Sequence, residues 1–155
     1  LYIHAMSRRQ RQMCIRDMMF CACSLDDESV GRLNDMAEIR NSVVSRLGKG
    51  DHCSEAWRIG SGMADEMGYS EHLMGMPPEQ AVFLGHSVGL ELDETPVVAD
   101  RFDRELPIGG TMAIEPKVIY DSGAIGTEDT FARTQDGMEC LTMGDSWGLL
   151  TEWDG

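Results

Sequence analysis

The chain has 155 residues, 42% of them apolar, enough for one ordinary core and too few for two comfortable domains. Lys and Arg number 13 against 27 Asp and Glu, a formal charge of −14, so the basic footprint that a nucleic-acid partner needs is missing and the acidity reads as a solvated surface. No apolar stretch approaches the ~18 residues of a membrane helix.

Residues 1–17 (LYIHAMSRRQRQMCIRD) are basic and lack the apolar segment of a signal peptide. The stretch resembles translated sequencing-adapter read-through, so it is read as non-native, and residues 18–155 as one partial catalytic domain. Without it the balance is 9 basic against 26 acidic residues, or −17. The alternative is a basic arm for an acidic partner. The run 18–24 (MMFCACS) reads as a strand, with Cys21 and Cys23 as small buried residues. Five irregularly spaced cysteines without a CxxC signal neither a zinc knuckle nor a disulfide framework, which suits a reducing, cytoplasmic compartment.

Ser24 followed by Asp27 is a capping-box pattern. Val30, Leu33, Met36, Ala37, Val43, Val44 and Leu47 then recur at helical spacing up to Gly48. Asp51 can cap a second helix with Ala56, Ile59, Met63 and Met67 on one face, ending at Gly68. His52 belongs to that cap. Gly60 and Gly62 cost this helix about 1 kcal/mol each. The 12 methionines are scattered and read as core filling, not a copper site.

Beyond Pro77, short apolar runs alternate with Gly, Pro and Asp. Strands are expected at 81–84, 111–114, 131–134 and 138–142, the last two joined through Gln135-Asp136-Gly137. Two helices followed by an antiparallel sheet make an α+β fold. Gly85-His86-Ser87-Val88-Gly89 matches a nucleophile elbow, but Leu90 to Pro96 reads as strand and turn instead of helix. The histidines are 4, 52, 72 and 86, so none follows Ser87 to serve as its base.

His86 is instead a candidate metal ligand. Glu115 lies in an apolar strand and Glu128 at the start of the next strand pair, where an unpaired carboxylate is costly. One His and two Glu at strand edges form an N/O set suited to a divalent cation. His72, before Leu73-Met74, belongs either to a surface turn or to the lining of a cleft.

Three segments, GHSVGLELDETP, LPIGGTMAIEPKVIY and GTEDTFARTQDGMECLT, together resemble successive signatures of the pita-bread metallopeptidases, which include aminopeptidase P, prolidase and methionine aminopeptidase. The two helices fall where that family has them, and the likeness runs from about Met18 to Thr142. It implies a partial pita-bread fold, two helices packed on a curved antiparallel sheet. The family binds two divalent metals through two Asp, one His and two Glu. By resemblance His86, Glu115 and Glu128 are three of those ligands, and Glu115 also shuttles the proton. The implied reaction is hydrolysis of an Xaa-Pro peptide by metal-activated water, with Mn²⁺, Co²⁺ or Zn²⁺ as the ion, in a homodimer whose subunits carry a further N-terminal domain.

Three departures qualify this. Both Asp ligands of the family lie upstream of the first helix, and the second falls on Ile15, inside the suspect segment. Asp26, Asp27 and Glu28 belong to a helix start and do not replace them. As written, the chain is expected to bind metal weakly and be inactive. Asp93 stands where many members carry a substrate-binding His, as in prolidase-like members reading Glu-Leu-Asp-Glu. Gly126 stands where a substrate-holding Arg is common. The resemblance leaves two alternatives to the peptidase: a non-catalytic protein binding peptides or partners, and a creatinase-like hydrolase of small C–N bonds.

Overall fold

The structure, a computed structural model, describes residues 26–142. The run 18–24, Ser24 of the capping pair, Ile15 and the basic stretch 1–17 lie outside the described residues.

Helix α1 spans Asp27–Gly48. Asp26 is its N-cap, accepting a hydrogen bond from the Ser29 amide at 2.8 Å. Asp27 and Glu28 occupy the first turn, where the helix dipole favours negative charge. The buried face carries Met36, Ala37, Ile39, Val43, Val44 and Leu47, close to the expected stripe, and also Arg40. Helix α2 spans Cys53–Glu66 and ends against Gly68, whose φ of +83° suits glycine.

The cap of α2 differs from expectation. His52 is the N-cap, and its amide donates to Glu55 Oε2 at 3.0 Å. Asp51 is drawn away by Arg46, with an Nε–Oδ2 distance of 2.5 Å. The buried face differs too: Cys53, Ala56, Gly60 and Ala64 face the core, whereas Ile59 is 40% exposed. The reason is close packing. A Cβ on Gly60 would lie 2.6 Å from Leu84 Cδ1 and 2.8 Å from Val43 Cγ2, so the glycine is the point where α2 meets α1 and the sheet.

Seven strands follow: β1 (Phe83–Ser87), β2 (Glu94–Ala99), β3 (Thr111–Ile114), β4 (Lys117–Tyr120), β5 (Gly123–Gly126), β6 (Asp129–Arg133) and β7 (Met138–Cys140). Five form an antiparallel sheet in the order β2-β1-β3-β6-β7, and β4 and β5 form a separate hairpin. Strand β1 lies two residues later than expected at its start and runs on through His86 and Ser87. Val82 is exposed, whereas Leu84 to Ser87 are buried between two neighbouring strands. Hydrophobicity alone misplaces a strand whose buried residues include Gly, His and Ser. The β4–β5 hairpin was not anticipated. Its turn at Asp121-Ser122 leads into Gly123, with φ +141°.

Residues paired across an antiparallel ladder share a face. Ser87, Met112 and Phe131 pair in one row, and Gly85, Ile114 and Asp129 in another. These rows face the helices. Met112, Ile114 and Phe131 join Met36, Ile39, Val43 and Leu47 in one buried cluster. His86, Ala113 and Thr130 form the intervening row on the opposite face. The sheet thus separates a packed core from the face that presents His86.

Candidate metal centre

His86 sits between two irregularities. The pairing of β1 with β2 slips between Phe83 and Gly85 and again between His86 and Ser87. Such bulges bend a strand and re-aim a side chain. Gly85 lets β3 come close, since a Cβ there would lie 2.3 Å from the Ala113 carbonyl oxygen. Beyond the last residue of β3, the Glu115 amide donates to the Leu84 carbonyl at 2.9 Å, so Glu115 stays locked to the strand that carries His86.

Both residues are buried, His86 at 6% exposure and Glu115 at 9%. His86 Nδ1 lies 3.2 Å from the Ser87 carbonyl oxygen. A carbonyl only accepts, so this bond is made by an Nδ1–H, which leaves Nε2 turned to the other side of the ring. Nε2 faces Glu115 Oε1 at 3.6 Å and Asp93 Oδ1 at 3.3 Å. Nε2 and two carboxylate oxygens thus converge on one place, an arrangement that a bound cation would satisfy. Donors about 2.1 Å from a divalent ion stand roughly 3.0–3.4 Å apart, close to the His86–Glu115 spacing. The donor chemistry and the orientation of the imidazole therefore fit a divalent cation. Among the described residues, no group of three or more His, Cys, Asp or Glu is placed to hold a metal ion.

The other expected residues are distributed as follows. Asp93 lies on the exposed loop between β1 and β2 and reaches His86. Glu128 is half-buried immediately before β6, and continuing the strand alternation puts it on the face of Thr130 and His86. His72 lies, half-buried, in the turn after α2. Its ring stacks on Tyr120 with centroids 4.2 Å apart, its Nδ1 lies 3.0 Å from the Ile119 carbonyl, and its own carbonyl accepts from the Ile119 amide at 2.9 Å. It fastens the segment after α2 to β4.

Gly126 pairs with Lys117 across the hairpin, and a Cβ there would lie 2.4 Å from Lys117 Cβ and 2.5 Å from the Pro116 oxygen. A larger residue at 126 would require the hairpin to shift. Ser87, the serine of the elbow-like motif, ends β1, and its hydroxyl is buried on the helix side without a hydrogen-bond partner.

Two charged groups were missed by the sequence reading. Lys117 Nζ lies 2.5 Å from Glu115 Oε2. Alternation two residues apart would have put both on one face. Arg40 Nη1 meets Asp129 Oδ2 at 2.5 Å, with both side chains nearly inaccessible, and Thr142 Oγ1 donates to Asp129 Oδ1 at 2.9 Å. Arg40 follows Met36 by four residues and precedes Val43 by three, a charged residue in apolar phase, and that was the available signal. Proton affinities move away from the site: burial pushes the Cys53 thiol up to about 11, and burial plus the bond to Asp35 pushes the Tyr69 hydroxyl up to about 12. Cys53 is therefore no nucleophile at neutral pH.

A metal-suited His–Glu pair on an antiparallel sheet backed by two helices defines a class, and the comparisons name it. The model of metallopeptidase family M24 matches residues 17–135, and the chain belongs to that family. The fold is similar to the prolidase of Pyrococcus furiosus, with a TM-score of 0.70 and 24% identity over 81% of this chain and 36% of that one. It is similar to the prolidase of Pyrococcus horikoshii OT3, with a TM-score of 0.65 and 28% identity over 79% and 33%. It is also similar to the X-Pro aminopeptidase of Thermotoga maritima MSB8, with a TM-score of 0.68 and 23% identity over 77% and 32%. The fold is thus a partial pita-bread fold, and the chain spans about a third of the length of these structures. No curated protein sequence matches significantly.

Proposed function

We propose that the chain is part of a dinuclear metal-dependent peptidase of the Xaa-Pro dipeptidase or aminopeptidase P type, in which His86, Glu115 and Glu128 are metal ligands. The observation that carries this reading is His86 Nε2 aimed at Glu115 Oε1, 3.6 Å away, with Nδ1 held by the Ser87 carbonyl. When bound, two divalent ions such as Mn²⁺, Co²⁺ or Zn²⁺ supply a water of lowered pKa and polarise the scissile amide carbonyl. The chain's own residues do the rest. His86 offers a lone pair whose direction is fixed by its other nitrogen. Glu115 accepts the proton of the attacking water and delivers it to the leaving amine. Asp93, exposed beside His86, meets the substrate at the mouth of the site. The working form is a cytoplasmic homodimer that carries a further N-terminal domain and takes small peptides.

The test joins a sequence to a reaction. The genomic sequence upstream of Met18 is expected to encode two Asp eleven residues apart, and the protein carrying them should release amino acids from Xaa-Pro peptides with added Mn²⁺ or Co²⁺. In that protein Glu128→Ala should abolish dinuclear binding, and His86→Ala should remove most of the activity. Parental hydrolysis by either variant would refute the site assignment. An upstream sequence without the Asp pair would replace the peptidase by a peptide- or partner-binding role.

A further inference from the structure

The Glu115 carboxylate has two differently occupied oxygens. Oε1 faces His86 at 3.6 Å, while Oε2 is held by Lys117 Nζ at 2.5 Å. The glutamate side chain is 11% exposed and that of the lysine 29%, so the pair sits where one side opens to water. Lys117 is held in place from behind. It pairs with Gly126, and its Cβ fills the space that any side chain at 126 would need. The carbonyl of the same residue accepts from the Met74 amide at 2.8 Å, tying the strand start to the core. His86, Asp93 and Glu115 bring two carboxylates against a lone pair, and Lys117 is the cation that meets one of them.

We propose that Lys117 is the resident counter-ion of Glu115 in the metal-free protein and gives the carboxylate up when a divalent ion binds beside His86. This rests on the metal-site reading above and adds to it a residue that sets the affinity. Lys117 is a positioning residue: it keeps the buried carboxylate neutralised and turned toward His86 until a metal competes for it. The neighbouring Gly126 belongs to the same device, because a Cβ there would press on Lys117 Cα and Cβ at 2.6 and 2.4 Å.

The experiment titrates Mn²⁺ into the chelator-stripped full chain by calorimetry. Releasing an ion pair that opens to water on one side is worth about fivefold in affinity. Lys117→Gln should therefore bind Mn²⁺ about fivefold more tightly than the parent, Lys117→Arg should bind at the parental affinity, and the gain should vanish when His86→Ala is added. Equal affinities for the parent and Lys117→Gln, with binding in both abolished by His86→Ala, would overturn the counter-ion role and leave the metal site standing. Absence of binding at millimolar Mn²⁺ in parent and variant alike would overturn the counter-ion role in this chain.

A second measurement needs no variant. Lys49 and Lys117 are the only two lysines, so lysine-selective ¹⁵N labelling leaves two side-chain ammonium signals. The Lys117 signal should shift as Zn²⁺ is added while that of Lys49 stays in place. A Lys117 signal unchanged at saturating Zn²⁺ would overturn the proposal.

Discussion

At the scale of single residues, the strongest commitments are buried charges. Arg40 and Asp129 are 3% and 2% exposed and 2.5 Å apart, and Asp129 is also bonded by Thr142. A buried pair of this kind is weak evidence of net stabilisation, but removing one partner strands the other. Arg40→Ala is expected to cost about 3–5 kcal/mol, seen as a lower midpoint in urea denaturation. A loss below about 1 kcal/mol would mean that water reaches Asp129. The pair sits next to Glu128, so the same measurement reports how firmly the start of β6 is held. His86 and Glu115 were legible in the sequence because a His and a Glu among apolar neighbours demand a partner. Lys117 was not, because a lysine two residues past a buried glutamate reads as surface until Pro116 and the hairpin turn it back. Arg40 was hidden by an apolar stripe that reads coherently without it.

At the scale of elements, α2 separates two effects that the sequence runs together. Gly60 and Gly62 both look like weak points in a helix. At Gly60 a Cβ would press on Leu84 and Val43, whereas nothing lies within 4 Å of the place where a Cβ on Gly62 would be. Gly60→Ala is therefore expected to destabilise by roughly 1–2 kcal/mol, because overpacking exceeds the gain in helix propensity. Gly62→Ala should stabilise by about 0.5–1 kcal/mol. Thermal melts of the two variants should move in opposite directions, and a rise in both would show that the α1–α2 contact relaxes freely. The helices were legible because their periodicity is long and Gly48 and Gly68 close them, although the cap of α1 is Asp26 and not the Ser24 of the expected pattern. The strands were legible as a series but not in register. β1 buries Gly85, His86 and Ser87 through its two neighbours, and β4–β5 folds back within a segment short enough to read as one motif.

At the scale of the whole molecule, the α+β layout and the family could be read from three short segments, because their residues are fixed by chemistry and close packing together. Gly85 admits β3, His86 and Glu115 converge, and Gly126 admits Lys117. What could not be read is how the site is completed, since among the described residues no three His, Cys, Asp or Glu are placed to hold a metal ion.

The site strands β1 and β3 lie inside the sheet, with β2 beyond one and β6 and β7 beyond the other. This placement has a consequence in time. Backbone amides of interior strands exchange with solvent only when the whole domain opens, whereas strand edges and frayed helix ends exchange through local events. Deuterium uptake in β1 and β3 should therefore be among the slowest of the described residues and track global unfolding in denaturant, with β7 and the first turn of α1 exchanging well before. Rapid uptake in β1 would mean that the histidine strand detaches on its own. In its absence, the His86–Glu115 spacing has the lifetime of the folded state itself, and a cation arriving at the site meets donors already in position.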